Sequence, residues 1–169
     1  MPKQQKPTRT LVLDNGAYNI KAGYATPEAG YADCAMIPNC IARSRDRRVL
    51  VGAQVGTCKD YGGMAFRRPV EKVCSHRFST RDFITDKQTK GYLVNWEAEK
   101  EIWDRTFLDN KSLLACDPSE TSLVLTEAPN APLSLQSNTD QMVFEEYDFA
   151  SYTRCVGTPP PSPLLPAPR

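Results

Sequence analysis

Thr10 to Leu13 is a short run of β-branched and aliphatic residues, followed almost at once by Asn15-Gly16, and a second run from Asn19 to Ala25 can return alongside it. Asn-Gly favours a tight primed turn, because both residues accept positive φ at little cost, so the stretch predicts a β-hairpin. Ala35 to Ile37 reads as a strand that ends at Pro38. Further on the period lengthens. Trp96, Trp103 and Phe107 stand at i, i+7 and i+11 with Ile102 beside them, which predicts a helix with one apolar face. Asn95 is placed to cap it, and Glu97 and Glu99 fall in its first turn, where the helix dipole favours negative charge. Ser122 to Thr126 reads as a buried strand closed by Ala128-Pro129-Asn130-Ala131-Pro132, and a second helix over Asn138 to Tyr147 would bury Met142, Val143 and Tyr147.

Two stretches break these patterns. Val73 to Thr89 shows neither helical nor alternating periodicity, and Val156 to Arg169 carries six prolines, which cannot continue a helix or a central strand. Met1 to Thr8 is polar, contains proline and is expected to be disordered.

Composition narrows the function classes. The 169 residues carry 21 basic and 20 acidic side chains, a net charge of +1, so no global field draws the protein onto nucleic acid or membrane. No apolar stretch follows Lys3, Lys6 and Arg9 to serve as a signal-peptide core, and no run is long enough to span a bilayer, which points to an intracellular protein. The six cysteines lack any Cys-x-x-Cys pair and fit reduced thiols. His76, the one histidine, has no further ligands nearby, so no zinc site is expected. Arg43-Ser44-Arg45-Asp46-Arg47-Arg48 is the densest basic cluster, but no aromatic residues interleave to stack on bases, and it reads as a solvated loop.

The candidate chemistry sits in the hairpin. Asp14 ends its first strand and Lys21 lies early in its second. Such an arrangement can cradle a metal-bound phosphate: turn amides donate to phosphate oxygens, the lysine is a point charge, and the carboxylate holds a divalent cation through its waters. The alternative from these residues alone is an ordinary edge hairpin with solvated charges.

Leu13-Asp14-Asn15-Gly16 followed by Ile20-Lys21-Ala22-Gly23-Tyr24-Ala25 resembles the first phosphate-binding hairpin of the actin family. Three further stretches resemble that family in the same order: Met36-Ile37-Pro38-Asn39; Gly91-Tyr92-Leu93-Val94-Asn95-Trp96 with Glu101-Ile102-Trp103-Asp104; and Leu123 to Pro129 with Phe144-Glu145-Glu146-Tyr147. Within the family the wording is most similar to the actin-related protein 6 subfamily. The resemblance implies an α/β fold, a partial and truncated actin-like (ribonuclease H-like) first lobe with a mixed sheet and flanking helices. It also divides the chain into a disordered N-terminus (1–9), a partial actin-like domain (10–154) and a proline-rich aberrant tail (155–169). Val73 to Thr89 interrupts the family spacing and reads as a retained intron, since Val-Cys is encodable by a donor-like sequence; the competing reading is a genuine surface insertion, which folds tolerate well.

By resemblance, Asp14 would sit near a magnesium ion's waters, the amides of Gly16 to Asn19 (Ala17 and Tyr18 among them) near the phosphates of ATP or ADP, and Lys21 on a phosphate oxygen, with Asn15 in the same binding set. Where actin has Ser-Gly, this chain has Ala17-Tyr18. Losing the hydroxyl removes a donor worth about 1.5 to 3 kcal/mol, and Tyr18 would resist a positive φ and crowd the phosphates. The chain also passes almost directly from Arg48 into Val49, leaving little of the loop that actin uses for filament contacts, so no filament is expected. The resemblance therefore implies a non-enzymatic actin-related subunit of a nuclear chromatin-remodelling complex that exchanges a core histone for its Z-type variant, with the cytoplasm left open as a second compartment for the protein. Its partners would be other subunits, with indirect histone or nucleosome contact and no membrane. The alternatives are a nucleotide-binding actin-like cytoskeletal protein and a truncated fragment without function.

Overall fold

A computed structural model describes residues 7–28, 30, 33–58, 61–70, 93, 95–128 and 131–156. The segment 73–89, residues 1–6 and residues 157–169 lie outside the described residues, and with them the readings of an insertion, a disordered start and most of the proline-rich tail.

Five strands form one mixed sheet in the order β3-β2-β1-β7-β8. They are β1 (Arg9–Asn15), β2 (Asn19–Tyr24), β3 (Ala35–Pro38), β7 (Thr121–Glu127) and β8 (Ser151–Val156). The first three run antiparallel as a meander, while β7 lies parallel to β1 and β8 parallel to β7. A smaller antiparallel sheet, β5-β4-β6, joins β4 (Ile41–Arg43), β5 (Val49–Val51) and β6 (Ala65–Arg67). The helices are α1 (Trp96–Trp103), continued by a π-helical turn over Asp104–Leu108, and α2 (Leu133–Gln141), continued by another over Met142–Glu146. This is the expected mixed α/β architecture of a partial actin domain.

Strand alternation makes the large sheet two-faced. Leu11 and Leu13 of β1, Ile20 and Ala22 of β2, and Leu123 and Leu125 of β7 are buried on one side, where Ile102, Trp103 and Phe107 pack with Met142 and Val143 in a single core. Trp103, Phe107, Tyr147 and Phe149 form an aromatic cluster, with Trp103 edge-on to Phe107 at 5.5 Å between ring centroids. Asn95 caps α1 as expected, its side-chain oxygen accepting from the Ala98 amide. The opposite face carries Val12, Asp14 and Lys21, and Val12 is 40% exposed.

The second helix begins at Leu133, five residues before the expected Asn138. Its first turns bury nothing, so no apolar stripe announced them. They are held instead by Arg154, which donates to the Gln136 side chain at 2.9 Å, pairs with Asp140, and lies 3.3 Å from Glu127. Strand β8 was not legible either, and it runs through Cys155 and Val156, the first two residues of the expected tail. Its two half-buried residues, Tyr152 and Arg154, alternate with exposed ones, a pattern too polar to stand out before β7 supplies the register.

No helix among the described residues is long and apolar enough to cross a membrane, and no group of three acidic, cysteine or histidine side chains among them is arranged to hold a metal. Among the described residues, Cys34, Cys40, Cys116 and Cys155 are reduced thiols.

Candidate functional site

The hairpin forms, but its turn differs from the one expected. Asn15 pairs with Ile20, leaving Gly16, Ala17 and Tyr18 to connect the strands, and the Gly16 amide donates to the Asp14 carbonyl at 3.0 Å. Asn15, Gly16 and Tyr18 all keep negative φ, so the primed Asn-Gly turn is absent, and the expected strain at Tyr18 is absent with it. Gly16 is required for a different reason. A Cβ there would stand 2.6 Å from the carbonyl oxygen of Asn19, closer than real Cβ contacts come. Gly16→Ala should therefore shift the turn and cost about 1 to 3 kcal/mol in urea unfolding; an unchanged midpoint would show that the turn yields freely.

The sheet separates the hairpin's predicted residues onto two faces. Asp14 pairs across the ladder with Lys21 and with Thr126, so these three share the outer face. There the Thr126 hydroxyl donates to Asp14 Oδ1 at 2.6 Å, and Lys21 Nζ lies 3.6 Å from Asp14 Oδ2. Thr126 was not singled out from the sequence, although its place at the end of a strand parallel to β1 is where α/β sheets gather functional side chains. Both charges are about half exposed, so the pair contributes little stability by itself.

Asn15 lies on the core face, beside a buried polar cluster that periodicity did not reveal. Asn39, fully buried, donates from Nδ2 to the Gly16 carbonyl at 3.0 Å, to Asn15 Oδ1 at 3.5 Å and to Glu99 Oε2 at 3.4 Å. Glu99 lies in the first turn of α1 as expected, but it is 0% exposed. Burial pushes its carboxyl up to about 7, opposed in part by Asn15, Asn39 and the nearby Trp103 indole, all of which favour the charged form. Glu99 Oε1, Asn39 Oδ1 and Trp103 Nε1 have no hydrogen-bond partner among the described residues. A signal for Glu99 existed: it lies three residues after Trp96 and three and four before Ile102 and Trp103, on the apolar stripe itself.

The turn is tied down from a second side. Tyr18, 64% exposed, has the Arg68 guanidinium over its ring at 3.8 Å from the centroid. Arg68 Nη1 also donates to the carbonyl oxygens of Tyr18 (3.0 Å) and Asn39 (3.3 Å). The Tyr18 carbonyl accepts from the Asn39 amide as well, at 2.9 Å, whereas the Ala17 and Tyr18 amides donate to no described residue. The donor set thus matches a phosphate in kind, with two uncommitted amides at the turn and an ammonium on the neighbouring strand.

A meander of three strands joined in parallel to two more, with a Asp-Asn-Gly hairpin at its centre, defines the class: the family model described as Actin matches residues 5–158, and the chain belongs to the actin family. The particular relatives it resembles include proteins named actin-related protein 6 and actin-like protein arp6. Actin-related protein 6 of Neurospora crassa is 51% identical over 151 residues, covering 89% of this chain and 30% of that protein. Actin-like protein arp6 of Aspergillus fumigatus is 45% identical over 170 residues (92% and 32%), and that of Emericella nidulans is 43% identical over 166 residues (90% and 31%). The chain therefore spans about a third of the length of the curated relatives it matches.

Proposed function

We propose that this chain belongs to a non-catalytic actin-related subunit of a nuclear chromatin-remodelling complex that exchanges a core histone for its Z-type variant, and so acts in transcription regulation. The observation that carries the non-catalytic part is the state of the hairpin. Both oxygens of Asp14 already have partners in Thr126 and Lys21, and the turn bears Ala17 and an arginine-stacked Tyr18 where actin bears Ser-Gly. The complex and its nuclear location come from the likeness to proteins named actin-related protein 6. Partners on this reading are the other subunits, which bring the protein to the nucleosome indirectly.

A second reading, a nucleotide-binding actin-like protein, is favoured by the uncommitted Ala17 and Tyr18 amides beside Lys21. On that reading the Gly16, Ala17 and Tyr18 backbone and Lys21 would hold the phosphates of ATP or ADP. Asp14 would face the waters of a magnesium ion, and Asn15, whose side chain lies on the core face, would contribute only its backbone. Bound nucleotide would supply charge for these donors to organise.

The test is purification of the tagged protein from nuclear extract, followed by assays of Z-type histone exchange and of ATP turnover. The tagged protein should co-elute with exchange activity and, once isolated, hydrolyse ATP no faster than buffer. Turnover by the isolated protein, or its assembly into sedimentable filaments, would overturn the proposal in favour of the second reading.

A further inference from the structure

Nothing in the local sequence marks Arg68, yet its side chain reaches the hairpin turn from fifty positions away. It stands between β6 and Pro69, whose ring restricts the backbone there. From that place its guanidinium does two jobs at once: one nitrogen bridges the Tyr18 and Asn39 carbonyls, and the plane covers the Tyr18 ring at 3.8 Å. Such a combination is open to arginine, which is planar and forked, and closed to lysine.

Asn39 completes the arrangement. Its side chain holds the Gly16 carbonyl and its amide holds that of Tyr18, so the first and last carbonyls of the connection are tethered to the body of the protein. The amides of Ala17 and Tyr18 are left without a described partner. A phosphate bound to a loop of this kind orders it through the amides. Here order is imposed through the carbonyls.

We infer that Arg68 is a positioning residue which, with the ring of Tyr18, latches the hairpin turn in its observed shape without a bound phosphate. Tyr18 is thereby a working part of the turn, replacing the conformational freedom that a glycine would bring with a ring for the guanidinium to rest on. The inference rests on the non-catalytic reading only in expecting that nucleotide leaves the turn unchanged.

Hydrogen–deuterium exchange of the full chain tests it, following peptides that cover Leu13 to Ile20 in wild type, R68A, Y18A and Y18F, with and without millimolar MgATP. The turn amide with a bonded partner is that of Gly16, which donates to the Asp14 carbonyl; losing a cation–π contact and two charge-assisted hydrogen bonds should speed its exchange about tenfold in R68A, and losing the ring contact should speed it severalfold in Y18A. Y18F keeps the ring and should match wild type. Amides of β7 provide the internal control. Should R68A also lose protection there, Y18A decides, because Tyr18 is exposed and its truncation spares the core. Turn exchange in R68A equal to wild type, or in Y18F as fast as in Y18A, would overturn the latch. So would a tenfold slowing of wild-type exchange by MgATP, which would show a turn incomplete without phosphate. Failure to co-elute with histone-exchange activity would instead refute the complex assignment and leave the latch standing.

Discussion

Glu99→Gln is expected to stabilise the protein at pH 8 by about 3 kcal/mol while changing little at pH 5. The carboxyl is raised from an ordinary value of 4.5 to about 7 by burial. Below the ordinary value it is protonated in both folded and unfolded chains, and the folded state bears no charging cost. Between about 4.5 and 7 the folded state holds more protons than the unfolded one, so stability falls as pH rises. Above 7 the full cost of a buried, incompletely paired carboxylate is present. Glutamine imitates the protonated form, so the variant should lose this slope. Protonation also supplies a donor to a cluster in which Glu99 Oε1 and Asn39 Oδ1 are both orphaned acceptors. Urea unfolding of both proteins at pH 5, 6, 7 and 8 makes the measurement. Parallel stability curves across that range would mean that Glu99 does not titrate in the folded protein.

The second large effect belongs to the aromatic cluster. Trp103 is 1% exposed and touches the rings of both Phe107 and Tyr147. Trp103→Ala should cost about 3 to 5 kcal/mol, because it removes a large buried surface and leaves a cavity that the rigid sheet behind it cannot fill. Domains have only about 5 to 15 kcal/mol in hand, so the variant should lose a large share of its stability. Trp103→Phe retains an aromatic edge for Phe107 and should cost less, the more so because the indole N–H it removes has no partner among the described residues. Unfolding midpoints in urea, with circular dichroism to register the loss of helix, distinguish these outcomes; a loss under about 1 kcal/mol in the alanine variant would contradict the core assigned here.

The hairpin, the Trp-bearing helix and the central strand were readable from the chain because each obeys a local rule. Alternation with period two produces Leu11 and Leu13 on one side, and spacing near 3.6 produces Ile102, Trp103 and Phe107 on one stripe. Asn95 caps its helix because the chemistry of a cap is confined to four successive residues. The start of α2 and all of β8 escaped for the complementary reason. Their stability comes from Arg154, which reaches Gln136, Asp140 and Glu127 from another element, and no window of sequence contains all four.

The candidate site divides along the same line. Asp14, Gly16 and Lys21 could be picked out because a strand, a tight connection and a returning strand place them within a few residues of one another. That Asp14 shares a face with Thr126 while Asn15 joins Asn39 and Glu99 on the other depends on the register between β1 and β7 and on which face the helices cover. Hydrophobic pattern alone states that a strand has two faces without saying what stands against either. The same is true of Arg68 and Tyr18, fifty positions apart in sequence and in contact only because the segment that follows β6 returns to the hairpin turn. Local order therefore specified the elements and the charged pair of the hairpin. Burial of Glu99, the sidedness of Asn15 and the latch on the turn arose from packing, since desolvation and long-range hydrogen bonds exist only once distant segments have met.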